Sequence, residues 1–118
     1  MHLKITVGNS IVTASIIKSK TSDDFIKLLP FTLAMNDLFG REKYGSLPKA
    51  ISTDSKPSYR YEVGDIAYWS PGDDLAIYYK HDGEAIPGPG IIIVGRILSE
   101  MEVLSFSGPV DVKIELAE

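Results

Sequence analysis

"GDIAYWSPGDDLAIYYK", residues 64–80, is the stretch that indicates the fold most directly. Two apolar, aromatic-rich runs at 66–69 and 75–79 flank a segment that contains Pro71 and Gly72. Proline presets its φ angle and glycine tolerates a positive φ, so this segment has turn chemistry. The pattern predicts two strands joined by a turn, and it leaves open whether the aromatic residues fill a core or also line a binding groove. These aromatic residues are Tyr68, Trp69, Tyr78 and Tyr79.

Apolar and polar residues also alternate on both sides of this hairpin, which predicts further strands. Residues 110–116 alternate most regularly, with valine, isoleucine and leucine on one face and charged residues on the other. Residues 91–98 are almost continuously apolar, and Gly95 within them indicates a bulge or a tight bend. The other predicted strands lie at residues 2–7, 11–17, within 31–40, within 40–48 and at 59–63.

Two short helices are predicted between the strands. Thr21 or Ser22 can cap the first helix, which ends before Pro30 because the residue before a proline avoids helical geometry. Ser99 and Glu102 have the spacing of a capping box at the start of the second helix. About eight strands with two short helices favour a barrel or a sandwich, and closure of a barrel removes exposed strand edges.

The overall composition limits the class of protein. The 118 residues, of which 44% are apolar and 24% charged, suit a single globular domain over residues 1–118. A net charge of −4 without a basic patch argues against nucleic-acid binding. The absence of cysteine, of a signal-peptide pattern and of an apolar run longer than residues 91–94 indicates a cytoplasmic protein that does not enter a membrane.

Three segments occur in an order that resembles a known family. Residues 31–45, "FTLAMNDLFGREKYG", run from a strand into a turn that ends in the pattern G-x-E-x-Y. The hairpin at 64–80 follows, and then a Gly/Pro-rich loop at 81–90 and the strand "IIIVGRI" at 91–97. This ordered set spans nearly the whole chain and resembles the small bacterial and archaeal cyclophilin-like proteins. The resemblance implies a mainly β fold, a closed eight-stranded antiparallel barrel with two short capping helices.

The resemblance also implies a groove on one outer face of the barrel. In true cyclophilins this groove holds a proline-containing peptide, and an arginine lowers the barrier to X-Pro isomerisation by stabilising the amide as its conjugation is lost. The comparable strand here, "TLAMNDL" at 32–38, contains no arginine. Arg41 in the following turn is therefore the candidate catalytic residue, with Arg96 as the other possible replacement. The run "LAIYY" at 75–79 keeps apolar and aromatic character where the enzymes have Gln-Phe-Phe.

The candidate ligand-binding residues lie in the hairpin and in the turn before it. Arg41, Glu42 and Tyr44 offer a cation, an acid and a phenol close together, or they form only a solvated turn with a weak ion pair. The predicted ligand-binding residues are Met35, Asn36, Phe39, Glu42, Tyr44, Trp69, Ile77 and Tyr79.

Other catalytic chemistries lack their signatures. His81 and Asp82 are adjacent, but no nucleophile elbow accompanies them, and no histidine or acidic spacing matches a metal site. We therefore expect no cofactor and no metal. Three hypotheses follow: a binding module for a peptide or small apolar ligand, a prolyl isomerase with a non-standard site, and an interaction domain without a pocket. The sequence leaves the identity of the ligand and the oligomeric state open.

Overall fold

The computed structural model describes residues 1–98, 101–104 and 108–117. The strands of this part of the chain are β1 His2–Val7, β2 Ser10–Ile16, β3 Phe31–Leu38, β4 Glu42–Ser46, β5 Asp65–Trp69, β6 Asp74–Tyr78, β7 Ile92–Ile97 and β8 Val110–Ala117. They close into an antiparallel barrel in the order β1-β2-β7-β5-β6-β4-β3-β8. The predicted closed eight-stranded barrel is confirmed.

The C-terminal strand β8 closes the barrel. Along one edge it pairs with β1, so that Ile114 lies opposite Ile5, and along the other edge it pairs with β3, so that Ile114 lies opposite Phe31. The alternation along β8 suits this position, because it turns Val112 and Ile114 inward while Asp111 and Lys113 face solvent. Leu116 shares their side of the strand but is 39% exposed.

Inward-facing apolar residues of seven of the eight strands, all except β4, fill the barrel in the described part of the chain. Their aliphatic side chains are β-branched or large, as a small barrel requires to fill its interior. The helix α1, Lys20–Lys27, adds Phe25, whose ring meets that of Phe31 edge to face at 5.8 Å. The apolar strand residues that face the barrel interior with no exposed surface are Leu3, Ile5, Met35, Ile66, Leu75, Ile77, Val94, Val112 and Ile114.

The cap of α1 lies earlier than predicted. Ser19 is the N-cap, because its backbone is extended and its hydroxyl accepts a hydrogen bond from the amide of Ser22 at 3.1 Å. The Ser22 hydroxyl accepts one in return from the Ser19 amide at 2.7 Å, which completes a capping box. Thr21, the other predicted cap, instead donates to the carbonyl of Ser52 at 2.7 Å and so fixes the following loop.

The second predicted capping helix is not confirmed. Residues Met101–Leu104 form a short 3₁₀ turn, and a second such turn spans Ser70–Gly72. The predicted cap Ser99 lies outside the described residues. The fold is therefore a β-barrel with one α-helix and two 3₁₀ turns in the described part of the chain. No helix within those residues is long and apolar enough to cross a membrane.

Two further expectations have different outcomes. The predicted strand at 59–63 is wrong, because only Ser58, just before it, forms a bridge, to Ile91. The irregularity at Gly95 is confirmed, since the pairing of β5 with β7 shifts register between Ile66 and Ala67 beside it. A Cβ at Gly95 would lie 2.7 Å from the carbonyl oxygen of Ser15, so the backbones of β2 and β7 approach too closely for a side chain there.

Candidate functional site

A second apolar cluster lies outside the barrel, on β5 and β6. Because side chains alternate along a strand, Ala67 and Ala76 face outward while their neighbours Ile66 and Ile77 face the core. Tyr78 shares the outward face of Ala76. Loop residues cover these side chains, so that the outer face is not simply exposed to solvent. The covering residues are Tyr61, Ile86 and Ile91.

A cavity of about 320 Å³ opens beside this cluster. Its floor is the outer face of β4 and β6, and its walls come from the turn after β3, from Trp69 at the end of β5 and from the Gly/Pro-rich loop. The lining is mostly apolar or aromatic, with three charged side chains. It consists of Leu38, Phe39, Arg41, Glu42, Tyr44, Trp69, Asp74, Ala76, Tyr78, Ile86, Pro87 and Ile91.

Arg41 lies at the base of the cavity and is only 7% exposed. Its Nε donates to Glu42 Oε1 at 2.8 Å, and its Nη1 donates to Asp82 Oδ2 at 3.2 Å. The guanidinium carbon also lies 5.6 Å and 5.9 Å from the ring centroids of Tyr61 and Tyr78. Two carboxylates and the aromatic rings stabilise this buried arginine. The turn is therefore not a solvated segment with a weak ion pair, which was the other interpretation of the sequence.

Burial and ion pairing shift the pKa values of Arg41 and Glu42 in opposite directions. Burial raises the pKa of Glu42, and the hydrogen bond and charge of Arg41 only partly oppose that rise. Burial would lower the pKa of Arg41, but the hydrogen bond and charge of Glu42, together with the charge of Asp82, raise it above its ordinary value. The guanidinium of Arg41 therefore stays protonated. The carboxyl of Glu42 takes up a proton at a higher pH than an ordinary glutamate does.

A column of rings supports the base of the cavity. Tyr61 stacks between Tyr78, at 4.1 Å, and His81, at 4.8 Å between ring centroids. The Tyr61 hydroxyl donates to the carbonyl of Lys80 at 2.8 Å and accepts from the amide of Asp82 at 3.2 Å. Burial raises the pKa of Tyr61, and burial with the charge of Glu42 nearby raises the pKa of Tyr78 well above its ordinary value. Both phenols thus stay neutral, and Tyr61 holds the loop that carries Asp82.

The structure brings five predicted site residues together. Phe39, Arg41, Glu42, Tyr44 and Trp69 all line the cavity. The signal for four of them was a turn with charged and aromatic residues between two strands, and the signal for Trp69 was the aromatic hairpin at residues 64–80.

Four other predicted residues lie elsewhere. Met35 and Ile77 have no exposed surface and pack inside the barrel. Asn36 is exposed on β3 opposite Tyr44 but does not line the cavity. Tyr79 packs against the barrel core, and its hydroxyl donates to Asp37.

Tyr78 was among the aromatic residues that could line a groove but was not selected as a ligand-binding residue, and Asp74 was missed, because Ile77 and Tyr79 on the other face of β6 were chosen. Trp69 pairs with Asp74 and Ala67 with Ala76, so the even-numbered residues of β6 share the face of Trp69. This register could have been read from the alternation once Trp69 was chosen, because directly paired residues point the same way. Residues of the covering loop carried no comparable local signal.

A separate polar cluster surrounds a fully buried lysine on β4. Lys43 Nζ donates to the carbonyl of Gly108 at 2.9 Å and lies 3.4 Å from Asp37 Oδ1. Burial, together with the hydrogen bond to Asp37, raises the pKa of Tyr79 to about 12. These interactions give Tyr79 a structural partner away from the cavity.

Arg96, the other arginine considered for catalysis, does not line the cavity. Its Nε donates to the fully buried Asp65 at 2.7 Å, which ties β7 to β5. The described residues also contain no group of three or more side chains that could hold a metal ion. Of the two arginines considered for catalysis, Arg41 lines the cavity and Arg96 does not.

The closed barrel with a cavity on its outer face defines the class of protein, a small cyclophilin-type β-barrel. The sequence profile of the Cyclophilin-like family matches residues 5–115, and the chain belongs to this family. The hypothetical protein AF2241 from Archaeoglobus fulgidus, known from a solution structure, is similar with a TM-score of 0.78 and 22% sequence identity. The match covers 99% of this chain and 95% of that one, and it supports the fold alone. No curated protein matches the chain.

Proposed function

We propose that this protein is a binding module that holds a peptide or a small apolar ligand in the outer cavity. The observation that carries the proposal is the cavity itself, about 320 Å³ with mostly apolar and aromatic walls and a few fixed charges. Cavities of this size, with a few polar groups that set orientation, are typical of small-ligand sites. An interaction domain without a pocket would need no such cavity.

The lip of the cavity supports the same proposal. Phe39 is 75% exposed and has a φ of 58°, in the left-handed region that bulky side chains rarely adopt. Such an exposed and strained aromatic residue has a cost of about 1–3 kcal/mol that the surrounding turn must offset. Its ring lies over Arg41, 5.3 Å from the guanidinium carbon, beside the opening. We interpret Phe39 as a contact for the bound ligand.

A fluorescence titration tests the binding module directly. Trp69 is the single tryptophan of the chain and lines the cavity, so its emission reports on occupancy. We expect proline-containing peptides or small apolar compounds to shift this emission saturably. Ala76→Leu fills the floor of the cavity and should weaken binding, whereas Ala34→Leu, on the exposed face of β3 outside the cavity, should not. A tryptophan signal that no compound of such a panel changes would contradict the proposal.

Prolyl isomerisation is the second candidate, because an arginine lines the aromatic cavity. The guanidinium of Arg41 would have to stabilise the twisted X-Pro amide while it stays paired to Glu42 and Asp82. NMR exchange spectroscopy on X-Pro peptides measures this activity. We expect accelerated cis/trans exchange that Arg41→Lys abolishes and Arg96→Lys leaves intact. Exchange equal to that of the peptide alone would exclude this candidate and leave the binding module.

A further inference from the structure

The charges around the cavity are unequal. Among the described residues that line it, Arg41 is the single cation, while Glu42 and Asp74 are acids. Asp82 adds a third carboxylate, 3.2 Å from Arg41 on its far side. The guanidinium is thus neutralised within the protein, and the surplus of negative charge remains at the cavity. Anions would be repelled from this site and cations attracted.

Glu42 directs part of this charge into the cavity. The residue is 5% exposed, and its Oε1 accepts the hydrogen bond from Arg41. Within the described residues, no hydrogen-bond donor to its other oxygen, Oε2, is found, yet no fully buried side-chain oxygen lacks a partner. Oε2 therefore keeps some accessible surface, and because Glu42 lines the cavity we infer that this surface faces the cavity. A ligand that donates to this oxygen, or carries positive charge beside it, would find a fixed partner.

The aromatic walls have faces to offer to a cation. Tyr44 and Trp69 line the cavity, and in the described part of the chain neither ring stacks on another ring or lies against a cation. Both are half-buried on the outer side of the barrel. The faces of tryptophan and tyrosine carry the negative part of the ring quadrupole and attract ammonium groups.

We propose that the cavity selects organic cations, that is, an ammonium or quaternary ammonium group carried on a small apolar body. This inference rests on the proposed binding function and names its ligand class. The apolar body fills the cavity against Ala76 and Ile91, and the cationic group lies against the ring of Tyr44 beside the carboxylate of Glu42 on the same face of β4. Trp69 lies towards the other end of the cavity, opposite Asp74, and reports on its occupancy. A neutral compound of the same shape would gain only the apolar contacts.

A pair of isosteric probes tests this selectivity. Choline and 3,3-dimethylbutan-1-ol differ in that a trimethylammonium group replaces a tert-butyl group, so their shapes match and their charges do not. Both are titrated against the full chain at constant ionic strength with Trp69 fluorescence as the readout. We expect choline to bind about tenfold more tightly, in line with one cation–π and one carboxylate contact.

Variants locate the source of the preference. Glu42→Gln keeps an acceptor for Arg41 and removes the charge, so it should abolish most of the preference for choline while binding of the alcohol is retained. Asp74→Asn removes the other acid that lines the cavity and should reduce the preference less. This variant replaces Glu42→Gln in the test if Glu42→Gln folds poorly. Asp54→Asn removes an exposed acid that is paired with Lys20 outside the cavity, and it should leave the preference unchanged.

The outcomes separate this inference from the proposed function. If choline and the alcohol bind equally well, the selectivity for cations is overturned and the proposed binding module stands. The same holds if Asp54→Asn loses as much choline binding as Glu42→Gln does. Binding of neither probe would overturn the inference as well, and the peptide and apolar panel described above would then decide the binding function by itself.

Discussion

At the scale of single residues, Gly64 is constrained twice. Its φ of +101° is open to glycine and strained for other residues. A Cβ at this position would also lie 2.4 Å from the carbonyl oxygen of Ile97, well inside van der Waals contact. The same glycine donates its amide to the carbonyl of Tyr78 and accepts from the amide of Ile97, so it joins the loop before β5 to two strands.

Gly64→Ala is therefore expected to destabilise the protein by about 3 kcal/mol or more, from backbone strain and a steric clash together. The measurement is urea denaturation followed by circular dichroism. Gly8→Ala is the matched control, because Gly8 also has a positive φ of +60° but a Cβ there would meet no atom within 4 Å. The control should cost only about 1 kcal/mol, and equal losses in the two variants would show that the clash has no effect.

Asp37 makes the free energy of unfolding decrease at acid pH, and we call this decrease the acid limb. Burial would raise the pKa of Asp37, but hydrogen bonds from Tyr79 and from the amide of Gly40, together with Lys43, lower it below the ordinary 3.8. A carboxyl whose pKa is lower in the folded than in the unfolded state stabilises the fold above its unfolded pKa. That contribution is lost as the pH falls through the folded pKa.

We expect the free energy of unfolding to fall between about pH 5 and pH 2, and Asp37→Asn to flatten this limb. The variant also loses stability at neutral pH, because the buried Lys43 loses a charged partner. Chemical denaturation over a pH series measures both effects. Asp54→Asn, whose carboxylate is mostly exposed, is the control that should leave the slope unchanged. An unchanged slope in Asp37→Asn would assign the acid limb to other carboxyls.

At the scale of elements, α1 depends on its first turn. Ser19 and Ser22 satisfy each other's amides reciprocally, and Phe25 anchors the helix in the barrel core. Eight residues are too few for a helix to be stable by itself in water, so the cap and this buried side chain fix its position.

Ser19→Ala should lower stability by about 1 kcal/mol, because the amide of Ser22 loses its acceptor. Ser19→Asp supplies a carboxylate to the same amide and should keep most of that stability. Thermal unfolding of the two variants compares them. A loss of equal size in both would indicate that the hydroxyl of Ser19 acts through another contact.

The elements also show how far sequence patterns reach. The hairpin of β5 and β6 was predicted within one residue at each end, because aromatic and β-branched runs around a Pro-Gly turn have few alternatives. The turn itself differs, since Asp73 and not Gly72 adopts the positive φ, at 53°. Of the site, the turn residues Phe39 to Tyr44 were recognisable as a polar and aromatic cluster. The covering loop was not, because its residues take part in the cavity only through tertiary contacts with the barrel.

At the scale of the whole molecule, closure depends on β8. Ile114 lies between Ile5 of β1 and Phe31 of β3, so the N-terminal hairpin and the third strand meet through it. Contacts of such large sequence separation form only when the chain has collapsed, and they leave no sheet edge open to other molecules.

Ile114→Ala should destabilise the barrel by about 2–5 kcal/mol, because it opens a cavity in a core that cannot collapse around it. Leu116→Ala, on the same face of β8 but 39% exposed, should cost about 1 kcal/mol. Urea denaturation of both variants gives the comparison. Similar costs would mean that the inner and outer ends of β8 contribute alike to the closed barrel.

Local patterns in the sequence were enough to predict most of the strands and the turn that carries Arg41, because alternation and turn residues are read along the chain. They left a barrel or a sandwich open, and the closed eight-stranded barrel came from the resemblance of the ordered segments to cyclophilin-like proteins. Tertiary contacts fixed which face of β6 is the groove, the burial of Arg41 between two carboxylates, and the place of Met35 and Ile77 in the core. The physical reason is that a one-residue change of register exchanges inner and outer faces, and burial of charge depends on partners far apart in the chain.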